Sequence, residues 1–390
     1  MGNVGKNLKE VRKRRGLNQR ELAQASGVPL SVIRKLEQGE RESARLDTLR
    51  KLAAALRVPT MRLSQGPREA GPVVGTVERW EAVRHAIEGP PAAVQADDDL
   101  PTLDGVRSTL RTGVTLHAAH RFHDLSELLA PLLHDAEALG DEGRATRGRV
   151  LQLAAGVLVH TRQFDAAEVA VQRALDEATD RMECAATINT RCWLLLRQGK
   201  LDTALDLAVH WADEIEPRVS RATPEELSAW GMLLLRVASA AARNNQTGQA
   251  EQALRLARGA AATLGREYAL HSESRVRSFG PTTVHLKTTE HASVTDRPDI
   301  VLRLAERVPF HAVRPSASNH NRHKLDVADA QAKLRRYGDA MDNLVALRSK
   351  SPEWLPNQPY ARTVLSRIIE GRRTLTPEMR RMATDIHLEV

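Results

Sequence analysis

The stretch SGVPLSVIRKLEQGER, Ser26–Arg41, decides how this chain is read. Gly27 supplies a tight turn between two short helices, since a residue without a Cβ enters the positive-φ region at no steric cost. From Pro29 to Gln38 the pattern predicts a helix that stops at Gly39. Val28, Ile33 and Leu36 follow its inward stripe. Leu30, Ser31, Arg34, Lys35 and Gln38 fall on the opposite face, and Pro29 opens it. That outward stripe suits the DNA major groove, where Arg and Lys reach guanine O6 and N7 and an apolar side chain meets a thymine methyl.

Working outward, the flanks predict more short helices. The first covers Val4–Arg15, with Leu8 and Val11 inward, and stops at Gly16. The second covers Gln19–Ala25 behind Asn18 as N-cap. A fourth covers Leu46–Leu56, and a short fifth, Thr60–Leu63, closes a five-helix unit over residues 1–66. Charge marks the same unit. Residues 1–66 hold 15 Lys or Arg against 6 Asp or Glu, whereas the rest of the chain holds 42 against 43. The whole basic excess of this +8 chain therefore lies in its first sixth, as expected of a polyanion-binding head on a neutral body. The amide of Gln19 is placed to reach a phosphate or a base edge. Arg41 and Arg45 in the following loop are placed for phosphates, as are Arg12–Arg15 where exposed.

Gln19, Glu21-Leu22-Ala23, Gly27-Val28, Ile33 and Leu36-Glu37-Gln38-Gly39 together resemble the Cro/phage-repressor helix-turn-helix (XRE) family, over residues 5–64. The resemblance implies that the second helix crosses the DNA backbone and the third reads bases. It carries base contacts to Gln19, Leu30, Ser31 and Lys35 and gives Glu37 a structural role. Arg34 joins the set from helix geometry. Pro29 departs from the family's usual hydroxyl cap.

Residues 67–102 change character. QGPREAGPVVG and GPPAAVQADDDLP are linker-like, and TVERWEAVRHAIE between them has helical spacing, with Trp80 able to dock on either neighbour. After Leu103 the chain is helical and repeats. RQFDAAEVAVQRAL (162–175), QGKLDTALDLAVHWA (198–212), NQTGQAEQALRLARGAA (245–261) and RRYGDAMDNLVALRS (335–349) align on Ala167, Ala204, Ala250 and Ala340. The gaps of 37, 46 and 90 residues leave room for one divergent unit at DRPDIVLRLAERV. Such periods predict stacked helix pairs, each needing its neighbours to bury its apolar face. The expected fold is all-α: a helix-turn-helix head, then a helical solenoid over 103–390.

APLLHDAEALG (130–140), FGPTTVHL (279–286) and HKLDVADAQAKLRRYGDAMDNL (323–344) resemble the tetratricopeptide-like part of actinobacterial XRE regulators. More distantly, the arrangement is similar to the RRNPP group, which senses quorum peptides in a concave groove. That likeness implies that the first helix of each pair lines the groove. Counting back from the aligned alanines places Arg149, Gln152, Gly156 and His160 there, then Asn189, Trp193 and Arg197, then Met232, Leu235, Ser239 and Arg243, and in the divergent unit Thr282, His285 and Thr289. Polar groups suit a peptide backbone, cations a carboxylate, and Trp193 an apolar anchor.

No run of 18 apolar residues and no signal-peptide core occurs, so a cytoplasmic protein with no membrane partner is expected. His311, His320 and His323 read as a polar surface loop rather than a metal site. Phosphate-loop, dinucleotide, nucleophile-elbow and zincin motifs are absent, so neither catalysis nor a cofactor is expected. The expectation is a homodimeric regulator, a repressor of a double-stranded DNA operator, switched by a peptide or small-molecule signal. The alternative is a DNA-tethered adaptor whose solenoid binds a protein.

Overall fold

The computed structural model describes residues 4–41 except 16, then 44, 46–56, 58, 60, 63, 76–89, 100–269, 278–308, 316–372 and 374–389. In the head, α1 (Val4–Arg14), α2 (Gln19–Ser26), α3 (Leu30–Gln38) and α4 (Leu46–Leu56) enclose Leu8, Leu22, Ile33, Leu36 and Leu52, all fully buried. Each such side chain contributes about 1.5–3 kcal/mol by leaving water. Asn18 caps α2: its Oδ1 accepts from the Arg20 and Glu21 amides, both at 2.9 Å, while Glu21 Oε2 accepts from the Asn18 amide at 2.7 Å. Gly27 ends α2 at φ 66°, which is the turn its sequence position required. Of the fifth helix, only Thr60 and Leu63 are among the described residues.

Helices α5 (Thr76–Arg79) and α6 (Glu81–Glu88) flank Trp80, which is 1% exposed. Trp80, Val83 and Ile87 pack into the core of the first repeats, so this segment docks on the solenoid. Arg173 fastens it by donating from Nη1 to the Ile87 carbonyl at 2.8 Å.

Six antiparallel helix pairs follow. They are α7/α8 (Leu103–Ala118, Phe122–Ala138), α9/α10 (Arg144–His160, Phe164–Asp176) and α11/α12 (Arg181–Arg197, Leu201–Glu214). Next come α13/α14 (Pro224–Arg243, Thr247–Leu264), α15/α16 (Pro281–Val294, Pro298–Ala305) and α17/α18 (Ala317–Lys333, Tyr337–Lys350). Helices α19 (Pro359–Gly371) and α20 (Pro377–Asp385) close the chain.

One turn geometry defines the repeat. His120, Arg162, Gly199, Asn245, Asp296 and Arg335 each hold positive φ, from 57° to 73°, two residues before the second helix. At each turn the next residue's amide reaches back to a carbonyl five positions earlier, as Gln163 does to Leu158 at 2.9 Å and Arg336 to Gln331 at 2.8 Å. Five residues past each turn residue stand Leu125, Ala167, Ala204, Ala250, Val301 and Ala340, none more than 1% exposed. The four alanines aligned in the sequence thus occupy one structural position. The divergent unit around 296–308 is a true repeat with valine there. A further pair, α7/α8, precedes those the alignment found and has leucine there.

Among the described residues the architecture is all-α apart from a two-residue ladder in which Tyr268 faces Phe279. Phe279 is fully buried against Gly231, where an added Cβ would lie 2.1 Å from the ring. That contact explains why the segment at 279 stands out in the sequence.

The row of first helices curves until the last pairs meet the first. Ser318 Oγ lies 3.0 Å from His120 Nε2 and 3.2 Å from His160 Nε2. Asn321 Nδ2 donates to Ser351 Oγ at 2.8 Å, His120 stacks on Trp354, and Arg197 Nη1 donates to Gln358 Oε1 at 3.1 Å. His320 and His323 therefore lie on α17 rather than in a surface loop, and His323 is buried there. The expectation failed because the polar run Ser316–His323 faces the opposite wall of a closed ring, where polar groups find polar partners. His311 lies outside the described residues.

Candidate functional site

Two surfaces stand out: the outer stripe of α3 and the cavity inside the ring. On α3, Ile33 and Leu36 are fully buried, while Ser31, Arg34, Lys35 and Gln38 are exposed and Leu30 is half-buried. Pro29 is exposed as the N-cap residue, with no side-chain cap, so the helix begins one residue later than the sequence pattern put it. Arg41 is exposed, its amide bonded to the Lys35 carbonyl at 3.1 Å. Arg45 lies outside the described residues.

Arg12 and Gln19 both bond the carboxylate of Glu37 inside the head. Arg12 is buried and forms a two-point ion pair with Glu37, Nε to Oε1 at 2.7 Å and Nη2 to Oε2 at 2.6 Å, and donates from Nη1 to the Leu17 carbonyl. It therefore drops out of the phosphate set, because its guanidinium faces inward. Gln19 donates from Nε2 to the same carboxylate at 2.9 Å, which fixes its side chain at the start of α2 and leaves its Oε1 without that bond. Burial pushes the Glu37 carboxyl up, but hydrogen bonds from Arg12 and Gln19 outweigh it and hold the pKa below the ordinary value. Glu37 thereby ties α1, α2 and α3 together and fixes the angle at which α3 is presented.

The ring encloses a cavity of about 710 Å³, within the range of small-molecule sites, roughly 300–1,000 Å³. Its wall follows the repeat: the residue six before each turn residue lines it, namely Val114, Gly156, Trp193, Ser239, Glu290 and Asp329. Arg149, Gln152, Trp193, Arg197, Ser239 and Arg243 all stand on this wall. Gln152 donates to Thr187 Oγ1 at 2.8 Å, and Arg243 pairs with Glu290 at 2.5 Å.

Other groove candidates do not line it. Asn189 is buried behind the wall, its Oδ1 accepting from Arg236 Nε at 2.8 Å. His285 turns away, its Nε2 lying 2.8 Å from the Leu304 carbonyl. Leu235, Thr282 and Thr289 are core residues. The wall residues that the sequence missed include Arg236, Lys287, Glu290, Arg322 and Tyr360. In α13 the wall steps through 232, 236, 239 and 243, so Arg236 was readable from helical spacing in place of Leu235. In α15 the count was one or two residues off, because the divergent unit has no alanine to anchor it.

A cluster of rings forms one part of the wall. His160 meets the edge of Trp193 with centroids 4.6 Å apart, and His117 lies 5.3 Å from His160. Burial lowers the pKa of His160 well below its ordinary value and that of His120 to about 4, so both imidazoles are neutral at pH 7. The head supplies the remaining side of the cavity through Ala44, Leu49, Arg50 and Thr60. Thr60 Oγ1 donates to Asn245 Oδ1 in a repeat turn at 3.0 Å. Burial lowers the pKa of Arg50, while Asp296 in the next repeat turn, together with Asp47, acts to raise it.

No helix among the described residues is long and apolar enough to cross a membrane. The protein RghRB of Bacillus subtilis (strain 168), an uncharacterised HTH-type transcriptional regulator, is 36% identical over 91 residues, 23% of this chain and 60% of that protein. The chain thus spans only 60% of the length of that curated relative. Among solved structures, Bacillus thuringiensis PlcR in complex with the peptide PapR7 and DNA matches at 13% identity and a TM-score of 0.37, over 80% of this chain and 97% of that one. The apo form of the competence regulator ComR from Streptococcus vestibularis matches at 13% identity and a TM-score of 0.15, over 95% and 98%. Scores this low leave the architecture to rest on the repeat turns themselves. Residues 8–63 match the helix-turn-helix family model, and with the capped α2, the Gly27 turn and the exposed face of α3 they identify the head as an XRE-type helix-turn-helix domain.

Proposed function

We propose that this chain is a sequence-specific DNA-binding transcriptional regulator whose helical ring binds a signal ligand and passes its occupancy to the head. The observation that carries the first half is the outer stripe of α3. Ser31, Arg34, Lys35 and Gln38 are exposed on a helix whose other side is buried, and the Arg12–Glu37 pair fixes its angle. Leu30, Ser31, Arg34, Lys35 and Gln38 read base edges in this account, and Arg41 and Arg45 hold phosphates. The units are residues 1–66 as head, 67–102 as connection and 103–390 as sensor.

The second half is supported by the shared wall. Leu49, Arg50 and Thr60 of the head border the same cavity as Trp193 and Arg243 of the repeats. A ligand that binds better with the head docked than undocked, or the reverse, shifts the head's position by that difference in affinity. In this reading the regulator is a homodimeric repressor, two copies of α3 reading half-sites about 34 Å or a multiple of it apart. Selection of duplexes from a random pool at fixed salt tests this. It is expected to return a two-fold-related operator, and a recovered pool without any shared motif overturns the reading.

A further inference from the structure

We infer that the cavity takes a small anion that carries an aromatic ring, its negative group set at Arg236, Arg243 and Lys287 and its ring laid against Trp193. This deepens the sensing reading of the cavity and rests on it only where operator binding is concerned.

Charge makes the first half of the case. Among the described residues, ten Arg and Lys side chains border the cavity against three carboxylates, Glu183, Glu290 and Asp329. Those acids are already engaged. Glu290 takes both Arg243, at 2.5 Å, and Lys287, at 2.7 Å. Asp329 takes Lys333 and Arg367. Arg236 stands on the same wall and has no carboxylate partner among the described residues. It has only Asn189 at its Nε and the face of Trp193, 6.0 Å from its Cζ. A cation withdrawn from water without a counter-charge is costly, and a bound anion removes that cost. Burial presses the pKa of Arg236 downward, and that of Lys287 too although Glu290 acts to raise it.

The rings make the second half. Trp193 stands at the junction, its ring centre 4.6 Å from that of His160 and its face 6.0 Å from Arg236 Cζ. Beyond His160 the wall turns apolar through Leu110, Val114 and Leu153. The imidazole of His160, its pKa held well below the ordinary value by burial, is neutral and borders the cavity without a charge to satisfy. An aromatic ring beside Trp193 brings an anionic substituent within reach of Arg236, whose Cζ lies 6.0 Å from the Trp193 ring centre. Stacking on Trp193 and a charge-assisted hydrogen bond to Arg236 are then made by one molecule.

Two dyes of similar ring system separate the charge from the ring. Anilinonaphthalene sulfonate is aromatic and anionic, and phenylnaphthylamine is aromatic and neutral. Titrated against the folded full chain, with fluorescence and quenching of tryptophan as readouts, the sulfonate is expected to bind in a saturable fashion, roughly tenfold or more tighter than the neutral dye. Arg236→Met is expected to lose that advantage, by roughly tenfold or more, while leaving the affinity of the neutral dye and the circular dichroism unchanged. Trp193→Leu is expected to weaken both dyes. Equal affinity for the two dyes, or sulfonate binding that survives Arg236→Met, overturns the inference. If the sulfonate binds as expected yet leaves operator affinity unaltered, the anion site stands and the sensing reading fails.

Discussion

Arg12 and Glu37, 25 positions apart in sequence, meet in a two-point ion pair whose side chains are only 9% and 2% exposed. The pair joins the first helix of the head to the end of α3, and Gln19 adds a third donor from α2. The helix that reads DNA in this account is thus held in place by a buried pair. Removing one partner leaves the other charge buried and alone, which costs about 3–5 kcal/mol. Glu37→Ala is therefore expected to unfold or loosen the head while the repeats keep their own melting transition. Differential scanning calorimetry resolving a head transition unchanged in Glu37→Ala contradicts this.

The same carboxylate gives the head an acid limit. The folded pKa of Glu37 lies below its ordinary value of about 4.5, held there by Arg12 and Gln19 with Lys9 contributing, against the upward push of burial. A depressed folded pKa means that the stabilisation is fully present above the unfolded value and is lost as pH falls through the folded one. Head stability, followed by chemical denaturation at several pH values, is expected to be flat with respect to this group above about pH 5 and to fall below pH 4.5. In Glu37→Gln that part of the acid slope should disappear.

Contact between head and ring hangs on a short link. Asn245 occupies a repeat turn at φ 61° and accepts a hydrogen bond from Thr60. Asn245→Gly keeps the turn conformation open to the backbone and deletes the acceptor. The expected loss is about 0.5–1.5 kcal/mol of docking free energy. Spin labels on α4 and α14 should then give a broader distance distribution by electron–electron resonance. An unchanged distribution would mean that the link does not hold the head.

Arg41 follows the C-cap of α3 and is exposed. As a phosphate contact it carries no sequence information. Arg41→Ala is expected to weaken all duplexes by a similar factor and to reduce the slope of log affinity against log salt by about 1. A loss confined to the operator would instead make Arg41 a base reader.

Much of the head was legible because its information is local. Asn18, Gly27 and Gly39 punctuate the chain, and α3 has a clean helical period from Leu30 to Gln38. What was not legible is long-range: that Arg12 and Gln19 both bond Glu37 is a matter of three helices meeting. The repeats show the same division. Aligned alanines gave the second helix of each pair, since small residues let helices approach closely. The phase of the first helices depends on how the ring closes, which no single repeat encodes. A shift of one residue therefore separated Leu235 from Arg236, and a shift of two separated His285 from Lys287. The polar run at Ser316–His323 looked like surface because its partners, His120 and His160, lie some 160 to 200 residues earlier in the chain.

The central claim is that the outer face of α3 reads DNA sequence, and Lys35 tests it most directly. Affinity of the intact chain for its selected operator and for a scrambled duplex, measured at one salt concentration, should differ by roughly 10³-fold or more. Lys35→Ala should cost about 1–3 kcal/mol on the operator and leave the scrambled duplex far less affected, so the ratio shrinks. Equal affinity of the wild-type chain for both duplexes, or an operator preference untouched by Lys35→Ala, contradicts the account.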